Sequence, residues 1–312
     1  MRVSRAIRPT AWALVAVGVA APLVRRRLKL SPAAVLGTAA LAPPALCVAV
    51  PRSRARDVAV CVLNMWAYVA AYEMPHDNPE RLAERVKIDY PIVADRVLGL
   101  GVPPTVRLQR AFAKPGRISR VERVLIISHW VWFMTPHAGM AYILWRRPDR
   151  FRGAAARMYA TFDIGVTFYW LIPTAPPWWA ALNGRFEDGA TMRLRRMMIE
   201  YGPKFWGDLW GPLYDVLGGN PLAAMPSLHF ATSLMGAHLL SEIGPVAGAV
   251  SAAYATTLGL ALVYLGEHYA VDLLAGAVLT ETIRAAAPRL EPVAARLTGA
   301  LRALELRASE AG

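Results

Sequence analysis

Charge is scarce in this chain. Only 18% of its 312 residues are Asp, Glu, Lys or Arg, against about a quarter in an ordinary soluble domain. Acidic residues are the scarcer sign, 22 against 35 Lys and Arg, which leaves a net charge of +13. A surplus of that size would point to nucleic acid in a soluble protein. Zinc knuckles, helix-turn-helix patterns and grooves of alternating basic and aromatic residues are all missing, so nucleic acid is excluded as a partner. There are only two cysteines, Cys47 and Cys61, with no CxxC pair, which rules out a disulfide framework. Both lie in apolar stretches and read as small buried hydrophobes. Internal repeats, low-complexity tracts and cofactor fingerprints are absent as well, and no cofactor is implied.

What the chain has is apolar sequence: 55% hydrophobic residues and a mean hydropathy of +0.32. A membrane-spanning helix needs about 20 largely apolar residues. Candidate spans are Ala11–Val24 (short), Ser31–Val50 (interrupted by Pro43-Pro44), Asp57–Ala71, Val124–Trp145, Ala154–Leu171, Leu222–Leu240, Val246–Leu265 and Tyr269–Ala287. Arg2, Arg5 and Arg8 before Ala11 resemble a signal peptide, but Arg25-Arg26-Arg27 follows the apolar core directly. That leaves no polar cleavage region, so the segment reads as an uncleaved anchor or first membrane helix. The expected architecture is all-α: a polytopic membrane bundle with a six-helix core and one or two extra N-terminal helices. Its divisions are a membrane anchor over 1–56, a catalytic domain over 57–288 and a cytoplasmic tail over 289–312.

Two connections are long. Glu73–Arg120 is polar, and "MPHDNPERLAERVKIDY" within it reads as surface or interfacial helix. Trp179–Gly219 is rich in Trp, Gly and Arg. Positively charged segments stay on the cytoplasmic side. Placing Arg146-Arg147-Pro148-Asp149-Arg150 and the arginine-rich tail inside puts Trp179–Gly219 and the Gly266–Tyr269 turn outside. The basic Glu73–Arg120 loop then also falls outside, against the rule.

Two stretches on that same face carry ionisable groups at the edge of apolar runs: "AMPSLHF", Ala224–Phe230, and "YLGEHYAVD", Tyr264–Asp272. Ionisable groups at membrane depth are usually functional. His268 and Asp272 are one helical turn apart, so the carboxylate can hold the imidazole in one tautomer and stabilise its cation. A nucleophilic histidine needs this, although an ordinary surface pair has the same spacing. Pro226 and Ser227 before His229 suit a helix start, whose free N–H groups and positive dipole end attract phosphate. A simple capped helix reads the same way. Together the stretches suit phosphoryl transfer, one histidine attacking phosphorus and the other protonating the leaving oxygen. The rival chemistry is a metal held by His229, His268 and Asp272. No separate metal-ligand cluster is evident.

"AAMPSLHFATS" (Ala223–Ser233) and "YLGEHYAVDLLAG" (Tyr264–Gly276) resemble the second and third signature motifs of the type-2 phosphatidic acid phosphatase superfamily. PSLH, the bare H-Y-x-x-D, "YWLIPTAPPWW" (Tyr169–Trp179) and "NPLAAMPSLH" (Asn220–His229) are similar to its inositolphosphotransferase, or inositol phosphorylceramide synthase-like, branch. The resemblance covers roughly Val124 to Thr280. It implies a membrane lipid substrate, a metal-independent reaction, and His268 as the nucleophile oriented by Asp272. His229 would be general acid and then base, and Ser227 a contact to the phosphoryl oxygens. Water as acceptor would make a phosphatase, and a polyol a headgroup transferase.

The chain departs from the superfamily at its first motif, K-x6-R-P, which is not recognisable, and at Leu262, where the third motif usually has Arg. Positive partners for the phosphate must then come from Arg193, Arg195, Arg196 and Lys204 in the outer loop, or from Arg157. Each is also readable as a solvated or structural charge. The missing clamps leave a non-catalytic lipid-binding or transport relative as the reading from another class. His129 and His137, near one face of their span, read first as helix–helix contacts, and Arg157 and Asp163 as paired with other helices. Trp132, Trp170, Trp178 and Trp179 fit an interfacial aromatic belt. The Arg25–Arg27 cluster reads as a topology signal or an anionic-lipid contact.

Overall fold

A computed structural model describes residues 2–114, 116–186, 194–217 and 219–309. It is all-helical, with no β-strand among the described residues. Three helices precede the matched motifs: α1 (Arg2–Val24), α2 (Pro32–Ala49) and α3 (Arg54–Glu73). Ser31 and Ser53 cap α2 and α3, accepting the N–H groups of Ala34 and Arg56. Pro43 and Pro44 do not divide α2, which carries both inside one helix; packing against neighbouring helices makes such prolines tolerable in apolar spans. Gly18 lets α1 lie against α2, where an added Cβ would stand 2.6 Å from the Thr38 carbonyl oxygen.

The loop after α3 folds into a short 3-10 turn and three helices, α4 (Pro79–Arg85), α5 (Asp89–Leu98) and α6 (Pro104–Phe112). The expected single span Val124–Trp145 is two helices, α7 (Arg120–Val131) and α8 (Thr135–Arg146). The cause is Pro136, which has no N–H for the carbonyl four residues back, that of Trp132. That carbonyl accepts instead from the N–H and hydroxyl of Thr135, each at 3.2 Å.

Next comes α9 (Pro148–Leu171). The following loop holds α10 (Pro177–Leu182), α11 (Met197–Trp206) and α12 (Trp210–Leu217). The core closes with α13 (Leu228–Ser241), α14 (Pro245–Tyr264) and α15 (Ala270–Ser309). The expected span from Leu222 thus loses its first six residues to a loop, because Ser227 caps the helix and accepts the Phe230 N–H at 3.3 Å. The expected tail is largely helix, since α15 runs on past Ala287 with Pro288 and Pro292 inside it.

The main core joins α9, α13 and α14 through Phe162, Met158, Leu228, Met235, Leu239, Leu258 and Leu262, all fully buried, and α15 adds the buried Leu279 and Ile283. Between apolar helices in lipid, close packing rather than exclusion of water holds such a core together. By length and composition α1, α2, α3 and α14 are each apolar enough to cross a membrane.

Arginine–carboxylate pairs stand at both ends of the bundle. At the end away from His229, Arg56 pairs with Glu305, Arg152 with Asp57 and Arg157 with Glu242. Arg25 and Arg26 lie at the other end, on Asp77, and Arg25 also reaches Glu73.

Candidate active site

The stretch before α13 is tied down by its backbone. Thr174 donates to the Leu222 carbonyl at 2.9 Å, and Ala224 donates back to Thr174 at 3.1 Å. The turn before α15 is tied to α14, because the N–H groups of Glu267 and His268 both donate to the Leu262 carbonyl, at 3.0 and 3.1 Å. Gly266 supplies the positive φ of 76° this turn requires, a conformation glycine adopts without strain. The two segments meet where the Ser227 N–H donates to the Asp272 carbonyl at 3.0 Å.

These ties put His229, His268 and Asp272 in series. His268 Nδ1 is 3.2 Å from Asp272 Oδ2, and His268 Nε2 is 3.2 Å from His229 Nδ1. Asp272 is fully buried, and its Oδ2 also accepts the Tyr269 N–H at 2.9 Å. An ionised carboxylate there can only accept. His268 therefore carries its proton on Nδ1 and turns the lone pair of Nε2 toward His229. Among the described residues no three His, Cys, Asp or Glu side chains are grouped as metal ligands.

Both histidines line a cavity of about 430 Å³. Arg196 is the one Lys or Arg among its described lining residues. Its guanidinium lies 3.6 Å from the Trp178 ring centre, donates to the Tyr214 hydroxyl at 2.8 Å and pairs with Glu267 at 3.4 Å. Burial pushes the Glu267 carboxyl above the ordinary carboxylate range, and Arg196 acts against that push. A guanidinium held flat on an indole keeps further donors for an oxyanion.

The other expected cations are not brought to the cavity. Arg195 is turned to Glu200, with its backbone N–H on Gln109. Lys204 is exposed on α11 and is not part of the cavity wall. Arg157 is held by Glu242 at 2.5 Å, at the opposite end of the bundle. Arg193 lies outside the described residues. Ser227 is fully buried as the cap of α13, so its hydroxyl serves the Phe230 N–H rather than the cavity. Leu262, where a clamp would stand, is fully buried core.

Several neighbours are not legible in the motifs. Asp95 on α5 is fully buried and accepts the N–H groups of Ala270 and Val271 at 3.0 and 2.9 Å, capping α15 from another helix. His129 stacks on His229 with ring centres 4.8 Å apart, while Trp132 lies 4.1 Å away from the same ring. His137 instead stacks on Phe162, 6.3 Å away, and Asp163 meets Asn64 at 3.1 Å. From α3 come Met65, Tyr68, Val69 and Tyr72, which line the apolar side of the cavity. Trp130, Tyr201, Phe205, Trp206 and Trp210 form an aromatic cover from α7, α11 and α12. No sequence signal marked α3 or α5 as part of a site.

The family description "PAP2 superfamily" matches residues 92–286, a span that holds all three residues of the series and more than half of the chain. The chain belongs to the PAP2 superfamily. No curated protein and no solved structure matches it.

Proposed function

We propose that this member of the PAP2 superfamily is a multi-pass membrane enzyme that moves a phosphoryl group from a lipid phosphate or phosphodiester through a phospho-histidine at His268. One observation carries the reading: the Asp272–His268–His229 series, with 3.2 Å at each step, set in the wall of a cavity. Residues 57–288 are the catalytic body in this proposal, with 1–56 an added membrane anchor and 289–312 a cytoplasmic tail.

The chemistry follows from the donors. Asp272 holds the Nδ1–H of His268, so Nε2 carries the lone pair that attacks phosphorus. A phosphoryl group entering between the two rings replaces the His229–His268 hydrogen bond. His229 gives a proton to the leaving oxygen and later takes one from the acceptor. Arg196 meets the negative charge that concentrates on the phosphoryl oxygens in the transition state. Water as acceptor gives a phosphatase. An alcohol gives a phosphotransferase, and the branch resemblance of "PSLH" and "HYAVD" supports transfer of an inositol-phosphate-type headgroup. The basic turn Arg146–Arg150 and the arginines of the C-terminal segment, taken as cytoplasmic, support a cell-membrane enzyme whose site faces away from the cytoplasm.

The test is phosphate release and headgroup exchange from a panel of lipid phosphates, with chelator present, by purified protein and its His268→Ala variant. Release lost in the variant makes it a lipid phosphatase, and exchange without release makes it a phosphotransferase. Activity that survives the substitution, or none in the wild type, removes the histidine mechanism and favours a binding protein.

A further inference from the structure

His129 belongs to neither signature stretch and lies in the last turn of α7. It is 6% exposed, yet it lines the cavity. Its ring is 28° from parallel with that of His229, at 4.8 Å. Trp132, one turn on, lies 4.1 Å from the other histidine's ring, so residues of one helix end grip His229. Trp132 is itself fixed, its indole N–H donating to the Thr232 hydroxyl at 3.0 Å. His129 differs: its Nδ1 is buried without a hydrogen-bond partner in the protein. A purely packing role would suit any flat apolar ring. Burying an imidazole nitrogen unpaired is unfavourable by about 1–3 kcal/mol, and such groups in native structures call for an explanation.

We propose that His129 is a catalytic residue that donates an N–H hydrogen bond to the oxygen leaving phosphorus. The inference rests on the phosphoryl-transfer reading above. In the first half-reaction the bond from His268 Nε2 to phosphorus forms and the ester O–P bond breaks. The departing oxygen takes the proton of His229 and accepts the His129 hydrogen bond as its charge builds. In the second half the acceptor oxygen occupies the same place. It gives its proton to His229 as its own bond to phosphorus forms and the N–P bond breaks. The donor is Nε2–H, because Nδ1 is shut off from the cavity, and a neutral imidazole can carry its one N–H on that nitrogen.

The experiment compares two probes, p-nitrophenyl phosphate and dioctanoyl phosphatidic acid, in wild type, His129→Phe and His129→Gln. Nitrophenolate leaves with little help, whereas an alkoxide needs the donor. His129→Phe keeps a stacking ring without N–H and is expected to lose about 10²-fold in kcat on the alkyl ester, with only a few-fold loss on the aryl ester. His129→Gln restores a donor and recovers part of the alkyl activity. Thermal melting in detergent reports whether each variant folds. Equal losses on both esters in folded His129→Phe overturn the proposal in favour of ring packing alone, and unchanged turnover of both overturns it outright. If the wild type turns over neither ester, the phosphoryl-transfer reading fails first and the role of His129 goes with it.

Discussion

Asp95 and Val271 are 176 residues apart, and the carboxylate of one accepts the backbone N–H of the other at 2.9 Å. The second carboxylate oxygen takes the next N–H, that of Ala270, at 3.0 Å. A helix begins with N–H groups that have no partner within it. In α15 these are met from α5, which fixes the turn that presents His268 and Asp272. Asp95→Ala should lower stability by about 0.5–2 kcal/mol, as loss of a helix cap does. It should also reduce kcat more than it raises KM, because it loosens the proposed nucleophile rather than the cavity. Thermal melting and steady-state kinetics on one preparation check both.

The same carboxyl gives a pH dependence. Burial raises the Asp95 pKa from 3.8 to about 6, against the lowering effect of its two N–H donors. Between those values the folded chain holds a proton that the unfolded chain has released. Stability from this group is therefore present at low pH and is lost as pH rises toward about 6. Above that both states are ionised and the curve is flat. Melting temperature followed from pH 4 to 7, relative to Asp95→Asn, should fall with rising pH up to about 6 and then level. A difference curve that rises over this interval would contradict the assignment.

Arg195 and Arg196 are chain neighbours with different work. Arg196 lies in the cavity wall on Trp178, whereas Arg195 is turned to Glu200. Arg196→Ala should lower kcat/KM by roughly 10²–10³-fold, as loss of one oxyanion donor does. Arg196→Lys should recover only part, since an ammonium cannot reproduce a guanidinium stacked on an indole. Arg157→Ala removes an ion pair at the far end of the bundle. It should leave activity unchanged and shift stability by less than about 1 kcal/mol. Kinetics on the three variants side by side decide whether the clamp is Arg196.

Much of this layout is legible in the sequence because it rests on local signals. Long apolar runs bounded by charge mark α3, α9 and α14, and the proline and serine before His229 mark the start of α13. His268 and Asp272 are close in sequence, so their meeting follows from helix geometry. What is missed depends on distant partners or on averaging. Hydropathy summed over Val124–Trp145 hides the break caused by Pro136, and the stacking of His129 on His229 joins residues 100 apart. Asp95 sits in a short amphipathic helix, and nothing local says that its acid faces another helix's end. Arg157 looks like a buried cation available to a phosphate, but its partner Glu242 is 85 residues away. Adjacent arginines in an irregular loop give no periodicity to say which side chain turns inward.

Asp272 tests the tautomer argument most directly. Asp272→Asn keeps the size of the side chain but presents a neutral amide to His268, which no longer fixes the proton on Nδ1. A loss on the order of 10³–10⁴ in kcat is expected, the scale seen when an aspartate that orients a catalytic histidine is made neutral. Phosphohistidine trapped by rapid acid quench should fall in step, because the first half-reaction is the one impaired. A variant that forms the phosphoenzyme normally would assign Asp272 a structural role instead.

The distance between the two histidines is expected to depend on a glycine in neither of their side-chain contacts. Gly276 on α15 faces the start of α13, and a Cβ there would stand 2.7 Å from the Ser227 carbonyl oxygen. Backbone cannot rotate away as a side chain can, so Gly276→Ala must push α13 and α15 apart. Ser227 directly precedes the helix carrying His229, and Gly276 lies one turn after Asp272. The displacement therefore falls on the His229–His268 contact. Overpacking of this kind destabilises by about 1–3 kcal/mol, and a misplacement near 1 Å can lower a rate by about 10²-fold. Gly236, also on α13, is the control. A Cβ there meets nothing closer than 3.8 Å, so Gly236→Ala should fold and turn over substrate as the wild type does. If Gly276→Ala is equally silent, the close approach of the two helices is not what sets the histidine pair.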